Sequence, residues 1–230
     1  MSSIPFPVLI TPEDVSIPCP HGPTLKAWFW RSPNPRGILV LAHGLGEHGG
    51  LYRSLAEYLV PALDIDDLLL DNLDASLRWA GQQRPHLPRF LLGHSNGGVV
   101  ATHTILREPT LVDGLILSNP AFALKFRPPR LKLAIGHVLR VVAPWVTLSG
   151  PLPAEALSRD PLQRILLRSD QLMHTRLSAP LFFGMRQAGF LALERGVQLD
   201  CPLLFLLGPD DPIIDPEVGL DFFTRFSGPD

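Results

Sequence analysis

Four short apolar runs, each of strand length and each set apart from the next by other patterns, constrain this chain more than any other feature. Gly37-Ile38-Leu39-Val40-Leu41-Ala42, Arg89 to Gly93, Gly114 to Ser118 and Pro202 to Leu207 are nearly continuous in apolar character. Runs of this kind predict strands buried on both faces. Strands alternating with helical patterns imply a mostly parallel sheet with helices packed on it, an α/β fold. Upstream, VSIPCPHGPTLKAWFWRS places a turn at His21-Gly22-Pro23 between two runs, the second holding Trp28, Phe29 and Trp30, and predicts a β-hairpin. With 230 residues, 46% of them hydrophobic and 18% charged, the chain is long and apolar enough for one large core, which excludes intrinsic disorder.

Leu51, Leu55 and Leu59 recur at helical spacing up to Pro61. Ile65, Leu68, Leu69, Leu73, Leu77 and Ala80 form a second apolar stripe opposite Asp66, Asp67, Asp71 and Asp74, so two consecutive helices are expected here with no strand between them. The small-residue stretch Gly97 to Leu106 predicts a helix ended by Pro109. From Asn119 to about Leu199 the strand pattern stops, and the sequence turns amphipathic and proline-broken. The expected organisation is a core built from 1–118 and 200–230, with 119–199 inserted as a helical lid. The 25 prolines, about twice the usual ~5%, lie between apolar runs and punctuate elements.

Several classes of function are excluded early. A net charge of −2 gives no field for holding a polyanion, so nucleic acid is not an expected partner. Cys19 and Cys201, each beside a proline, form no disulfide framework; they fit a reducing compartment and are expected to be inert thiols. The N-terminal MSSIPFPVLITPED has neither a basic start nor a long apolar stretch, unlike a signal or transit peptide. The longest apolar region, Leu131 to Leu148, is broken by His137, Arg140 and Pro144 and falls short of the ~20 residues that span a bilayer. A cytoplasmic location is expected. There is no H-E-x-x-H and no paired C-x-x-C, so neither metal nor cofactor is expected.

Gly93-His94-Ser95-Asn96-Gly97 fits G-x-S-x-G between a predicted strand and a predicted helix, the context in which that pattern places a serine on a strained turn with its Oγ exposed. Ser95 is therefore the candidate nucleophile. The loop after the first core strand, His43-Gly44-Leu45-Gly46-Glu47-His48-Gly49, satisfies G-x-G-x-x-G as well. A dinucleotide site would also need a second parallel strand ending in an acidic residue about 20 positions on, where the pattern here predicts a helix. The favoured alternative is an oxyanion loop, with the backbone N–H groups of Leu45 and Asn96 facing a developing negative charge.

HGLGEHGGLY, LLGHSNGG, SRDP and LLGPDDPIID, in that order, together resemble the α/β-hydrolase superfamily, and within it the monoacylglycerol lipase and lysophospholipase group related to serine aminopeptidases. The resemblance spans nearly the whole chain, and its most specific element is the pairing of His-Gly-x-Gly-Glu-His with Gly-His-Ser-x-Gly-Gly. It implies hydrolysis of a small acyl-ester or lipid substrate by a serine nucleophile, with the triad in the order Ser, Asp, His. The family's acid maps to Asp211, three residues after Gly208; Asp210 is the less favoured neighbour and Asp215 a second, structural acid.

Two departures from the family pattern carry expectations of their own. The family's histidine lies beyond the acid and after one more strand, whereas no histidine follows His174 here, so the triad base and the C-terminal strand and helix are expected to be missing. In a serine protease, loss of the base alone costs about 10⁶-fold in kcat. The family also has a core strand and an Asp-x-x-Gly-His-Gly loop where Leu59 to Asp64 here runs straight into the acidic stripe, so one core strand is expected to be absent. The chain is then either an impaired serine hydrolase, or a truncated non-catalytic remnant or pseudoenzyme that binds acyl lipids. His94 should point away from Ser95, and His43 is the one candidate for a surrogate base. His48 is expected to be structural, and His86, His103, His137 and His174 are isolated.

The stretch Lys125 to Trp145 interleaves Lys125, Arg127, Arg130, Lys132 and Arg140 with Leu131, Leu133, Ile135, Val138, Leu139, Val141 and Val142. A basic amphipathic helix of this kind suits peripheral contact with a lipid surface. Its alternative is a helix packed on the core with a solvated basic face.

Overall fold

The computed structural model describes residues 11–19, 23–63, 65–70, 73–149 and 153–229. In chain order the elements are β1 (Glu13–Ile17), β2 (Leu25–Trp30), β3 (Gly37–Ala42), α1 (Arg53–Leu63), β4 (Ile65–Leu70), α2 (Leu73–Gln83), β5 (Arg89–His94), α3 (Asn96–Arg107) and β6 (Gly114–Ser118). There follow α4 (Arg130–Val142), β7 (Thr147–Ser149), α5 (Ala154–Leu157), α6 (Pro161–Ser169), β8 (Arg176–Ser178), α7 (Ala179–Arg195), β9 (Leu203–Leu206) and α8 (Pro216–Arg225).

The main sheet runs β1-β2-β4-β3-β5-β6-β9. From β4 to β9 neighbouring strands are parallel, and β1 and β2 join antiparallel at one side. The four apolar runs are thus strands as their pattern predicts, and every residue of β3 is buried. The N-terminal hairpin forms with Ile17 opposite Leu25; of its predicted turn, His21 and Gly22 lie outside the described residues.

The second helical stripe is corrected by the structure. Ile65 to Leu70 is not helix but β4, which lies between β2 and β3 with Gly37 opposite Ile65, Ala42 opposite Leu70 and Trp28 opposite Leu69. The helix begins at Leu73. The expected gap in the sheet is closed by the segment whose local spacing suggested a helix. The reason is non-local: without β4, the inner edges of β2 and β3 would bury unpaired N–H and C=O groups. α1 also continues two residues past Pro61. At the other end of the chain α8 follows β9, a helix not anticipated in the sequence, and its Phe222 is fully buried.

The sheet separates two apolar layers. On one face Ile38, Val40, Leu91, Leu115 and Leu117 pack with Leu77 and Ala80 of α2, Val99 and Ile105 of α3, and Phe222. On the other, Leu39, Leu41 and Leu92 pack with Trp30 and with Ala56 and Val60 of α1. Each fully buried side chain of this size contributes about 1.5–3 kcal/mol, so the central strands form a firm platform for the loops at their C-terminal ends.

Between β6 and β9 the chain is built differently. Neither α4 nor α6 buries a single residue. α7 is the link to the core: it buries Gly189 and Ala192, and a Cβ on Gly189 would stand 2.5 Å from the carbonyl oxygen of Phe122. α4 rests on α7 through His137 stacked on Phe183 at 4.2 Å. Among the described residues no helix is long and apolar enough to cross a membrane. Cys19 and Cys201 are free thiols, and burial pushes the pKa of Cys201 up.

Candidate active site

Ser95 occupies the single-residue turn between β5 and α3 with φ 53° and ψ −119°. A non-glycine residue there stores about 1–3 kcal/mol of strain, which the surroundings must hold in place. They do so with three main-chain bonds: Ser95 N–H donates to Ser118 O at 3.0 Å, and Ser95 O accepts from Gly98 N–H at 3.0 Å and Ala121 N–H at 2.9 Å. The glycines of the motif are needed for the approach of backbone to backbone. A Cβ on Gly97 would lie 2.1 Å from Ala42 O, and one on Gly93 would lie 2.6 Å from Gly98 Cα.

Asp211 sits in the loop after β9. Its Oδ1 accepts from the N–H groups of Ile213 at 2.8 Å and Ile214 at 2.9 Å, and its Oδ2 from Asn119 Nδ2 at 2.9 Å. Asn119 Oδ1 in turn accepts from Gly208 N–H at 2.6 Å, so one amide side chain ties the end of β6 to the loop after β9. Asn119 has φ 40°, a left-handed conformation that asparagine tolerates better than most residues. Its position directly after a predicted strand is the signal the sequence offers for it, and the residue type alone points to no role there. Asp210 points elsewhere, to Arg159 at 3.0 Å, and Asp215 caps α8 through Glu217 N–H.

The loop after β3 curls over the elbow. A Cβ on Gly44 would lie 3.2 Å from Ser95 Cβ and 2.8 Å from Glu47 Oε2. Gly44 N–H donates to Glu47 Oε2 at 2.7 Å, and the Tyr52 hydroxyl donates to the same oxygen at 2.6 Å. Burial, and then the negative charge of Glu47, push the Tyr52 pKa far above its ordinary value, so its proton stays available to Glu47. The Leu45 N–H makes no main-chain hydrogen bond among the described residues, and that of Asn96, in the first turn of α3, has no intrahelical acceptor.

A second parallel strand, β4, does follow this loop, so the absence of one no longer argues against a dinucleotide site. Glu47 does so instead: its carboxylate occupies the Gly44 N–H and places negative charge where a pyrophosphate would sit.

Ser95, Leu45 and Asp211 line one cavity of about 1110 Å³, together with Glu47, His94 and Asn119 from the core and Leu133, Phe182 and Met185 from the helical segment. Asn96 and His43 line a second cavity of about 190 Å³ behind the loop, and Leu45 borders both. His43 Nδ1 donates to Gly44 O at 2.8 Å, and His94 Nδ1 lies 3.1 Å from Ser118 Oγ. His103 bonds Ala188 O at 2.8 Å, and His86 is exposed. Among the described residues the Ser95 side chain makes no capping bond to α3 and no hydrogen bond to an imidazole, and no cluster of residues fit to hold a metal ion is present.

The family model for serine aminopeptidase, S33, matches residues 63–230. Over 203 residues, covering 79% of this chain and 72% of its relative, the sequence is 30% identical to a monoacylglycerol lipase of Mycolicibacterium smegmatis. The crystal structure of a monoacylglycerol lipase from Paleococcus ferrophilus superposes with a TM-score of 0.77 at 27% identity, covering 90% of this chain and 86% of that one. A soluble variant of the monoglyceride lipase of Saccharomyces cerevisiae, solved with a substrate analog, shares the fold at TM-score 0.81 and 20% identity, with 98% and 87% of the two chains covered.

Proposed function

The chain belongs to the serine aminopeptidase S33 family of α/β-hydrolases, and from that premise we propose that it is a serine hydrolase of the monoacylglycerol lipase-like group, acting on acyl esters of the monoacylglycerol or lysophospholipid type. Ser95 is the nucleophile, the N–H groups of Leu45 and Asn96 receive the oxyanion, and Asp211 is the acid. The observation that carries this assignment is the shared cavity: a strained serine and a carboxylate fixed by three donors line one largely apolar space with Leu45. An acyl chain has apolar walls to enter there, and the polar groups gather where an ester carbonyl would stand.

Residues 119–199 act in this proposal as a lid over the cavity, to which they contribute Leu133, Phe182 and Met185. Peripheral contact with a lipid surface belongs to the same proposal. α4 leaves Leu131 72%, Val138 60% and Val141 75% exposed, and Trp145 just beyond it is 76% exposed, beside Arg130, Lys132 and Arg140. Such a face enters a headgroup boundary at little cost. Two free thiols accord with a cytoplasmic location.

A hydroxyl without a base is a weak nucleophile, and no imidazole is hydrogen-bonded to Ser95 among the described residues. That observation supports a second reading, a pseudoenzyme that binds acyl lipids. Stopped-flow mixing with p-nitrophenyl octanoate separates the two. A burst of about one nitrophenolate per chain, lost in Ser95→Ala, is expected for the hydrolase. No release, with octanoyl glycerol still bound, would leave the pseudoenzyme.

A further inference from the structure

The loop over Ser95 is held from outside the core as well as from within it. His48 Nε2 lies 2.8 Å from Asp170 Oδ2, across 122 positions of sequence, and His174 N–H donates to Gly46 O at 3.0 Å. Gly46 has φ 72°, and a Cβ there would stand 1.9 Å from His174 O, so the two backbones meet with no room for a side chain. The segment just after α6 is therefore docked directly on the loop that carries Leu45.

The direction of the His48 bond follows from its neighbours. Gly50 N–H donates to His48 Nδ1 at 3.2 Å, which requires a lone pair on that nitrogen. The ring proton is then on Nε2 and is donated to Asp170. The other oxygen of Asp170, Oδ1, accepts from Leu172 N–H at 2.8 Å. Asp170 thus spends one oxygen on the loop and one on its own turn. Asparagine has the same length but sets an NH2 donor where one of the two accepting oxygens stands, so in this geometry it cannot accept from both donors.

We infer that Asp170 is a positioning residue: acting through His48, it fixes the main chain from Gly44 to Gly50, and with it the Leu45 N–H, relative to Ser95. This inference rests on the proposed role of Leu45 as an oxyanion donor. It has a mechanical corollary. Residues 170–174 stay docked on the loop while it holds this position.

The full chain, Asp170→Asn, His48→Phe and the double variant are compared by hydrogen exchange over residues 44–50 and by the rate at which a fluorophosphonate labels Ser95. Asp170→Asn is expected to speed exchange over 44–50 at least about fivefold while α2 and α3 keep parental protection. It is expected to slow labelling about 10- to 100-fold, the scale of an ångström-sized misplacement. The double variant adds little to His48→Phe alone, because Asp170 acts on the loop through that ring. His48→Phe removes the donor toward Asp170 together with the acceptor for Gly50 N–H, and carries the comparison should Asp170→Asn lose α2 protection and so prove unfolded. Unchanged exchange over 44–50 with α2 still protected overturns the inference, and so does simple additivity in the double variant. A parent chain that takes no label overturns the hydrolase proposal, while the exchange comparison still decides this one.

Discussion

The elbow at Ser95 and the helix α4 show opposite solutions to the same problem, how to place side chains at the mouth of one cavity. At the elbow, strain at a single residue is held by glycines that admit no Cβ and by three main-chain bonds. At α4, thirteen residues bury none of their side chains, and contact with α7 runs through His137 and Arg140 on Phe183. One region spends its sequence on fixing position; the other keeps apolar surface unburied. The contrast teaches that a rigidly held elbow and a largely unburied helix are built separately here, so damage to one need not touch the other.

The strongest way to break the contrast is to add an atom at the elbow. Gly97→Ala puts a methyl 2.1 Å from Ala42 O, and overpacking of rigid backbone should cost about 3 kcal/mol in urea unfolding. Next comes Asn119→Ala, which removes a donor to Asp211 and an acceptor for Gly208 N–H. It should cost about 2 kcal/mol in the same measurement and should slow reaction at Ser95 further than the lost stability explains.

The same kind of surgery on α4 should do little to the fold. Leu131→Ser with Val138→Ser should shift unfolding by no more than about 0.5 kcal/mol, because both side chains already face solvent. Binding to vesicles of phosphatidylglycerol and phosphatidylcholine, read by sedimentation, should weaken about tenfold. Equal losses in stability and vesicle binding would erase the distinction between the two regions.

The smallest effect concerns pH. The hydrogen bond from His48, and then the Leu172 N–H, hold the Asp170 carboxyl below the ordinary 3.8 of an aspartate. A lowered carboxyl pKa stabilises the folded chain above the unfolded value, and that contribution is lost as pH falls through the folded one. The stability difference between the parent and Asp170→Asn should therefore persist at about pH 5 and disappear under stronger acid, as followed by circular dichroism.

Much of this was legible because it is local. β3, β5, β6 and β9 declare themselves as apolar runs, and the serine elbow by glycines at fixed offsets. β4 is not legible in this way, because Ile65, Leu68 and Leu69 fit a helical stripe and only pairing with β2 and β3 makes the segment a strand. Partnerships over long separations left no local trace: Asp170 with His48, and Asn119 with Asp211 and Gly208. Glu47 and Tyr52 stood inside the quoted HGLGEHGGLY motif, but nothing in the spacing said that both would meet at Gly44.

The claim at the centre is that Ser95 can act as a nucleophile. Intact-mass analysis of the 230-residue chain after exposure to a fluorophosphonate tests it most directly, with Ser95→Ala as the control. One phosphonyl adduct on the parent chain and none on the control is the predicted result. A folded parent chain that gains no mass, under conditions in which a known serine hydrolase is fully labelled, would contradict it.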